Sequence, residues 1–141
     1  MAGELTGGCR GGCQCGGIRY EVTGAPRLVV ACHCTACQRQ SGSAFGMAFM
    51  VDEADFRLTQ GEVKTYASES DAGRAKLGAF CPDCGTRIYH KLEWSKGKVS
   101  IKPGTLDDTS MLKPDLHIWT ASKQPWVTIP EDAEAHEKNP S

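Results

Sequence analysis

Seven of the eight cysteines lie in three short clusters whose spacing suits metal binding. The clusters are Cys13 and Cys15 in CQC, Cys32, Cys34 and Cys37 in CHCTAC, and Cys81 and Cys84 in CPDCG. Side chains at i and i+2 of an extended chain point to the same face, so CxC can present two sulfurs to one ion. CxxC on a tight turn brings two sulfurs to one centre, and the proline and glycine of CPDCG favour such a turn.

The number of thiols in each cluster predicts two different zinc sites. The CQC and CPDCG pairs together supply four sulfurs, which form the closed tetrahedron of a structural zinc. CHCTAC supplies three sulfurs and leaves the fourth position open, which is the pattern of a catalytic zinc. We therefore expect about two zinc ions per chain, one structural and one functional.

Other uses of these cysteines remain as alternatives. Disulfides are arithmetically possible, a thioredoxin-like CxxC would need a βαβ context, and an iron–sulfur cluster could use the same thiols. The second site could also take a fourth protein ligand, from His33, His90 or His117, or be often empty. In an extended CHC segment the side chain of His33 points away from the sulfurs. Cys9, in the flexible and exposed GGCRGG stretch, is expected to be a free thiol without a role.

Charge and hydropathy exclude several classes of partner. The formal net charge is −1 and the chain has no basic run, so we expect no nucleic acid partner. No apolar stretch approaches the ~18 residues of a membrane span, and the N-terminus lacks the features of a signal peptide. We therefore expect a cytoplasmic protein with reduced thiols and a small-molecule partner. Nothing in the sequence specifies an oligomeric state.

The elements that must position the cysteines are short strands. Alternating apolar residues between turn residues predict strands at 18–23, 28–31, 45–51, 56–59, 63–67, 76–80, 86–90, 99–102 and 117–120. Short helical turns are predicted at 35–40 and around 52–56. This pattern predicts a mainly β, sandwich-like or barrel-like fold. We expect a flexible segment at 1–11, one domain at 12–130 and a polar, frayed tail at 131–141.

Five segments together resemble the glutathione-dependent formaldehyde-activating enzyme family, also called the GFA or CENP-V-type domain. They are GGCQCGGIRYEV, CHCTACQRQSGSAF, FCPDCGTRIY, KPGTLDD and HIWTASKQPW, and they extend from about residue 12 to residue 126. The resemblance implies a Mss4-like fold of small, mainly antiparallel sheets tied by a four-cysteine zinc site. It also implies that the CQC and CPDCG cysteines hold the structural zinc and that the CHCTAC cysteines hold the functional one.

The activity implied by this resemblance is that of a carbon–sulfur lyase. It joins formaldehyde and glutathione reversibly into S-hydroxymethylglutathione. The open zinc position would handle a thiol, since three thiolates weaken zinc as a Lewis acid. Arg39, Ser41 and Gly42 are the predicted glutathione contacts, although a surface arginine and ordinary turn residues are alternatives at these positions. Two other functions stay open: a zinc enzyme acting on another small thiol or aldehyde, and a non-enzymatic zinc module that binds proteins.

Overall fold

The computed structural model describes residues 8–24, 28–69, 73–110 and 112–139. Its strands are β1 (Cys9–Gly12), β2 (Arg19–Val22), β3 (Val29–Cys32), β4 (Gly46–Asp52), β5 (Phe56–Gln60), β6 (Lys64–Glu69), β7 (Ala75–Phe80), β8 (Arg87–Leu92), β9 (Lys98–Ile101), β10 (Leu116–Ile118) and β11 (Glu134–Ala135). The helix α1 is Thr35–Ser41, and short 3-10 turns lie at Glu53–Asp55, Pro103–Thr105 and Thr120–Ser122. All nine predicted strands and both predicted helical turns are present.

The strands form two sheets within the described residues. One has the order β1-β2-β5, and the other has the order β11-β10-β3-β4-β9-β8-β7-β6. Pairing is antiparallel except that β10 lies parallel to both β3 and β11. The predicted mainly β fold is therefore confirmed. No helix in the described part of the chain is long and apolar enough to cross a membrane.

The two faces of the eight-stranded sheet have different environments, which follows from the two-residue period of a strand. One set of alternate positions is at most 1% exposed and packs in the core: Val29, Ala31, Phe49, Val51, Val99 and Ile101. The three-stranded sheet covers this core with Tyr20 and Val22. The intervening positions line a cavity, because the register sets Val30 opposite Ala48 and Met50 opposite Ser100.

The N-terminal part of the chain differs from the expectation of a flexible segment up to residue 11. Residues 1–7 lie outside the described residues, but Cys9–Gly12 form β1 and pair with β2. A Cβ at Gly11 would lie 2.4 Å from the carbonyl oxygen of Thr105 and from the hydroxyl of Tyr20, so only glycine fits there. Cys9 packs against the core, and burial raises the pKa of its thiol. Its predicted exposure is therefore wrong.

The C-terminal part also differs from the expected frayed tail. Glu134–Ala135 form β11, and the Trp119 amide donates to the carbonyl of Lys138 at 3.2 Å. The Trp119 indole N–H also donates to Asn139 Oδ1 at 2.9 Å. Residues up to 139 thus pack beside β10, where Trp119 and Asn139 form part of the cavity wall.

Candidate functional site

The first candidate metal site is formed by the CQC and CPDCG cysteines. The Sγ atoms of Cys13, Cys15, Cys81 and Cys84 all lie within 4.8 Å of one another. Two of the separations are 3.5 Å, between Cys13 and Cys15, and 3.8 Å, between Cys15 and Cys81. A tetrahedral zinc with Zn–S bonds of about 2.3 Å requires sulfur–sulfur separations of roughly 3.8 Å. The four thiols therefore fit a closed zinc site.

Each cysteine pair of this site lies in the turn of a hairpin. The Cys13 amide donates to Ile18 O at 3.1 Å, and the Cys81 amide donates to Thr86 O at 2.9 Å. Gly85 has a φ of +81°, a left-handed conformation that glycine adopts without strain. This glycine lets the chain turn directly after the second sulfur, as the CPDCG sequence predicts.

Polar hydrogens near two of these sulfurs, those of Cys13 and Cys84, favour the thiolate form. The Ile18 amide donates to Cys13 Sγ at 3.2 Å. The Thr86 hydroxyl lies 3.2 Å from Cys84 Sγ, and its hydrogen bond lowers the pKa of Cys84 to about 5. Because thiolates are the zinc ligands, this environment prepares these two cysteines for the metal. One pair follows β1 and the other follows β7, so a bound ion would join the two sheets.

The second candidate metal site lies where β3 ends and α1 begins. Cys32 is the last residue of β3, Cys34 is the N-cap of α1, and Cys37 lies in the first turn of the helix. The amide of Cys37 donates to Cys34 Sγ at 3.3 Å. The unequal spacing of CHCTAC thus places one sulfur on the strand, one at the cap and one on the helix. The three Sγ atoms lie within 4.8 Å of one another.

The chemistry of these three thiols calls for a cation. The thiols of Cys32 and Cys37 hydrogen-bond to Cys34 and lower its pKa, whereas the pKa of Cys32 is raised by Cys34 and Cys37. One thiolate therefore forms readily, and its charge opposes ionisation of the other two. Zinc among them would stabilise all three thiolates. No histidine or carboxylate of the described residues joins this cluster, so the described part of the chain leaves the fourth position open.

The histidine within CHCTAC faces away from the sulfurs, as predicted. His33 is fully buried, its Nε2 lies 3.0 Å from Nδ1 of His117, and its ring lies 5.1 Å from that of Phe45. Burial lowers the pKa of both histidines, so neutral imidazoles share this hydrogen bond. His33 and His117 therefore bind each other, and the structure does not support either as the fourth ligand.

Gln38 fixes the backbone between the cysteines. Its amide nitrogen donates to His33 O at 2.8 Å and to Ser122 O at 3.0 Å. Its oxygen accepts from Nε2 of Gln124 at 2.8 Å. These bonds connect α1 to the segment after β10 and hold the three-thiol cluster in place.

The three-thiol cluster opens into a cavity of about 440 Å³. That volume lies within the range of small-molecule sites. Much of the wall consists of apolar side chains at alternate strand positions, including Leu28, Val30, Met50, Leu92, Leu116 and Ile118. The indole rings of Trp94 and Trp119 also contribute to it. A small ligand that reaches the sulfurs would therefore contact mainly apolar side chains.

Apart from the cysteine thiols, the charged groups of the cavity wall are cations. Arg74, Lys76 and Lys102 line it, and among the described residues no aspartate or glutamate does. His90 is neutral, because burial lowers its pKa to about 2. A Cβ at Gly46 would lie 3.3 Å from Cys37 Cβ and 3.4 Å from Lys102 Nζ. The ammonium of Lys102 and the side chain of Cys37 thus both lie close to Gly46.

The residues predicted to bind glutathione lie elsewhere. Arg39, Ser41 and Gly42 are exposed on α1 and its C-terminus and are not part of the cavity wall. Ser41 Oγ lies 3.4 Å from Gln38 O and 3.3 Å from Phe45 O, and Gly42 caps the helix with a φ of +63°. Their role in ligand binding stays a prediction. Sequence reasoning missed Lys76 and Lys102 as parts of the cavity wall. Lys76 lies on β7 and Lys102 directly follows β9. The available signal was a polar side chain at an alternate position beside apolar ones.

Comparison with known proteins assigns a family to this arrangement. Residues 8–122 match the family model described as glutathione-dependent formaldehyde-activating enzyme. The chain belongs to this family. The match includes all three cysteine clusters and most of the cavity wall.

Two further comparisons are more distant. A Penicillium rubens protein, provisionally named a glutathione-dependent formaldehyde-activating enzyme, is 29% identical over 83 residues, which are 57% of this chain and 42% of that protein. The match therefore spans less than half of the relative's length. A crystal structure of a Rhodobacter sphaeroides protein superposes with a TM-score of 0.55 at 21% identity, covering 70% of this chain and 87% of that one. This similarity shows a shared fold.

Proposed function

We propose that this protein is a cytoplasmic, zinc-dependent carbon–sulfur lyase that joins a small thiol to formaldehyde, with S-hydroxymethylglutathione as the adduct. One observation carries the proposal: three thiols lie at the wall of a cavity without a fourth ligand from the described residues. A purely structural site would be closed, as the four-cysteine site is. The family to which the chain belongs supports glutathione as the thiol.

Zinc at this position would stabilise the thiolate of the incoming ligand and so supply the nucleophile. Cys32, Cys34 and Cys37 would hold the ion and leave one position for the ligand sulfur. In the reaction a sulfur–carbon bond forms and the carbonyl π bond breaks. The oxygen takes up the proton that the thiol lost, and the reverse reaction returns both reactants.

Lys102 is placed to assist this change. Its ammonium lies beside Cys37 across Gly46, so it can donate a hydrogen bond to the oxygen that becomes negative. The apolar wall strengthens that interaction because it excludes water. Gln38 and His33 keep the cysteines in position from the opposite side of the backbone.

The test is the rate at which zinc-loaded protein exchanges formaldehyde between its free and glutathione-bound forms. Two-dimensional exchange NMR at equilibrium measures this rate without a coupled enzyme. Wild type should accelerate the exchange, and Cys34→Ser should reduce it to the uncatalysed rate. Cys9→Ser is the matched control, because Cys9 belongs to neither candidate zinc site. This variant should retain the wild-type exchange rate. Wild type that leaves the uncatalysed rate unchanged would disprove the proposed activity.

A further inference from the structure

Lys76 is a buried cation that the reaction described above does not use. It lies on β7 with 9% of its surface exposed and faces the cavity, opposite Leu92 on β8. Its neighbour Leu77 faces the other side of the sheet and is 38% exposed. The usual pattern of a strand is therefore reversed here, with the lysine inside and the leucine outside.

The protein itself supplies little to offset this charge. No carboxylate of the described residues pairs with Lys76 or lines the cavity. Its charged neighbours include the thiols of Cys34 and Cys37 and the ammonium of Lys102. A buried ammonium without a counter-charge is costly, and a second cation nearby increases the cost. A ligand that brings negative charge into the cavity would remove this cost.

The metal site can offset only one of the two lysines. Zinc with three thiolates has a net charge of −1. Lys102 lies beside Cys37 across Gly46, so the negative charge of the zinc site mainly offsets the positive charge of Lys102. A ligand thiolate would place its own charge at the metal. A ligand carboxylate, by contrast, can lie against the Lys76 ammonium and accept its hydrogen bonds directly.

We propose that Lys76 binds a carboxylate of the ligand, so that the cavity selects anionic thiols over neutral thiols of the same size. The inference rests on the proposed function, because it takes the three-thiol cluster as the place of the ligand sulfur. It names the substrate class as thiols with a carboxylate on a short, partly apolar body. Glutathione belongs to this class.

A different role for Lys76 would be to compensate the thiolates of the zinc site. In that case its removal would weaken zinc binding and would weaken every thiol ligand by the same factor. Carboxylate binding instead changes the ratio between the affinities for anionic and neutral thiols. That ratio is therefore the quantity to measure.

The experiment is calorimetric titration of zinc-loaded protein with 3-mercaptopropionate and with its methyl ester. The two thiols have the same chain and differ in the carboxylate charge. We expect wild type to prefer the acid by about 10-fold, the range of a charge-assisted hydrogen bond. Lys76→Met keeps the length of the stem and should lower this preference to about 1-fold, whereas Lys76→Arg should retain much of it. Lys64→Met, on the exposed neighbouring strand β6, is the control and should retain the wild-type ratio.

S-methylglutathione separates failure of this inference from failure of the proposed function. It keeps the carboxylates of glutathione but has no free thiol. If it binds in a Lys76-dependent manner and glutathione binds no better, the carboxylate site stands and the thiol chemistry is wrong. If wild type binds the acid and the ester equally, or if Lys76→Met weakens both by the same factor, the carboxylate site is overturned. Zinc content and thermal unfolding of each variant confirm that the proteins compared are folded and loaded.

Discussion

Replacing Cys84 by serine should destabilise the whole fold, because Cys84 belongs to the site that joins the two sheets. The ligands Cys15 and Cys81 are 66 residues apart in sequence. Cross-linking a loop of that length lowers the conformational entropy of the unfolded chain, which stabilises the fold by about 4 kcal/mol. That is a large part of the roughly 5–15 kcal/mol by which domains are typically stable. For a chain of this size the loss corresponds to about 12 °C in Tm.

Cys34→Ser is the matched comparison. Cys32, Cys34 and Cys37 lie within one segment that the hydrogen bonds of Gln38 already order, so their cross-link removes little freedom. We expect a decrease in Tm of less than about 4 °C for this variant. The assay is thermal unfolding followed by circular dichroism, with the zinc content of each sample measured. With excess chelator the two variants and the wild type should unfold at similar temperatures. Equal decreases for Cys84→Ser and Cys34→Ser in zinc would refute the division into a structural and a functional site.

Two further predictions concern the cavity wall. Gly46→Ala should weaken zinc binding at the three-thiol cluster about tenfold, because the new Cβ would lie 3.3 Å from Cys37 Cβ. Competition with a chelating dye measures the zinc affinity. Unchanged affinity would contradict the close approach of Gly46 to Cys37. In the folded protein the pKa of His90 is about 2, well below its ordinary value. At acidic pH the His90 imidazole therefore binds a proton in the unfolded chain but not in the folded protein. The stability of the wild type consequently falls as the pH drops below about 6.5. Between pH 7.5 and 5.5, His90→Gln should lose about 1 kcal/mol less of its free energy of unfolding than the wild type loses. Urea unfolding at each pH measures this difference. Identical pH profiles for the two proteins would contradict a buried neutral imidazole.

Most of the strands that sequence patterns located have apolar residues at alternate positions, many of them β-branched or aromatic. β1 was missed because its sequence, CRGG, has little intrinsic preference for a strand. Its glycines are required by tertiary contacts, since Tyr20 and Thr105 approach Gly11 too closely for any side chain. β11 was missed because two residues give no periodic signal, and only pairing with β10 identifies it.

The candidate site likewise has a part that local sequence patterns predict and a part that depends on tertiary contacts. Each of the three cysteine clusters follows from local spacing, which reflects the geometry of hairpin turns and of a strand followed by a helix. The cavity wall depends on register across six strands, and no local pattern gives that register. Lys76 and Lys102 come near the sulfurs only because β7, β8, β9 and β4 pair in that order. For this reason the sequence predicted ligand contacts after CHCTAC in the chain, whereas the cavity lies across the sheet.

The most direct test of the central claim is the number of sulfur ligands per zinc, measured by X-ray absorption with and without glutathione. A closed four-thiol site and an open three-thiol site should give a mean of about 3.5 sulfurs per zinc at two zincs per chain. If the open position takes the ligand thiol, glutathione should raise this mean to about 4. S-methylglutathione should leave it unchanged, because it has no thiol to offer. A mean that glutathione does not alter would contradict the claim that the three-thiol cluster is the site of thiol chemistry.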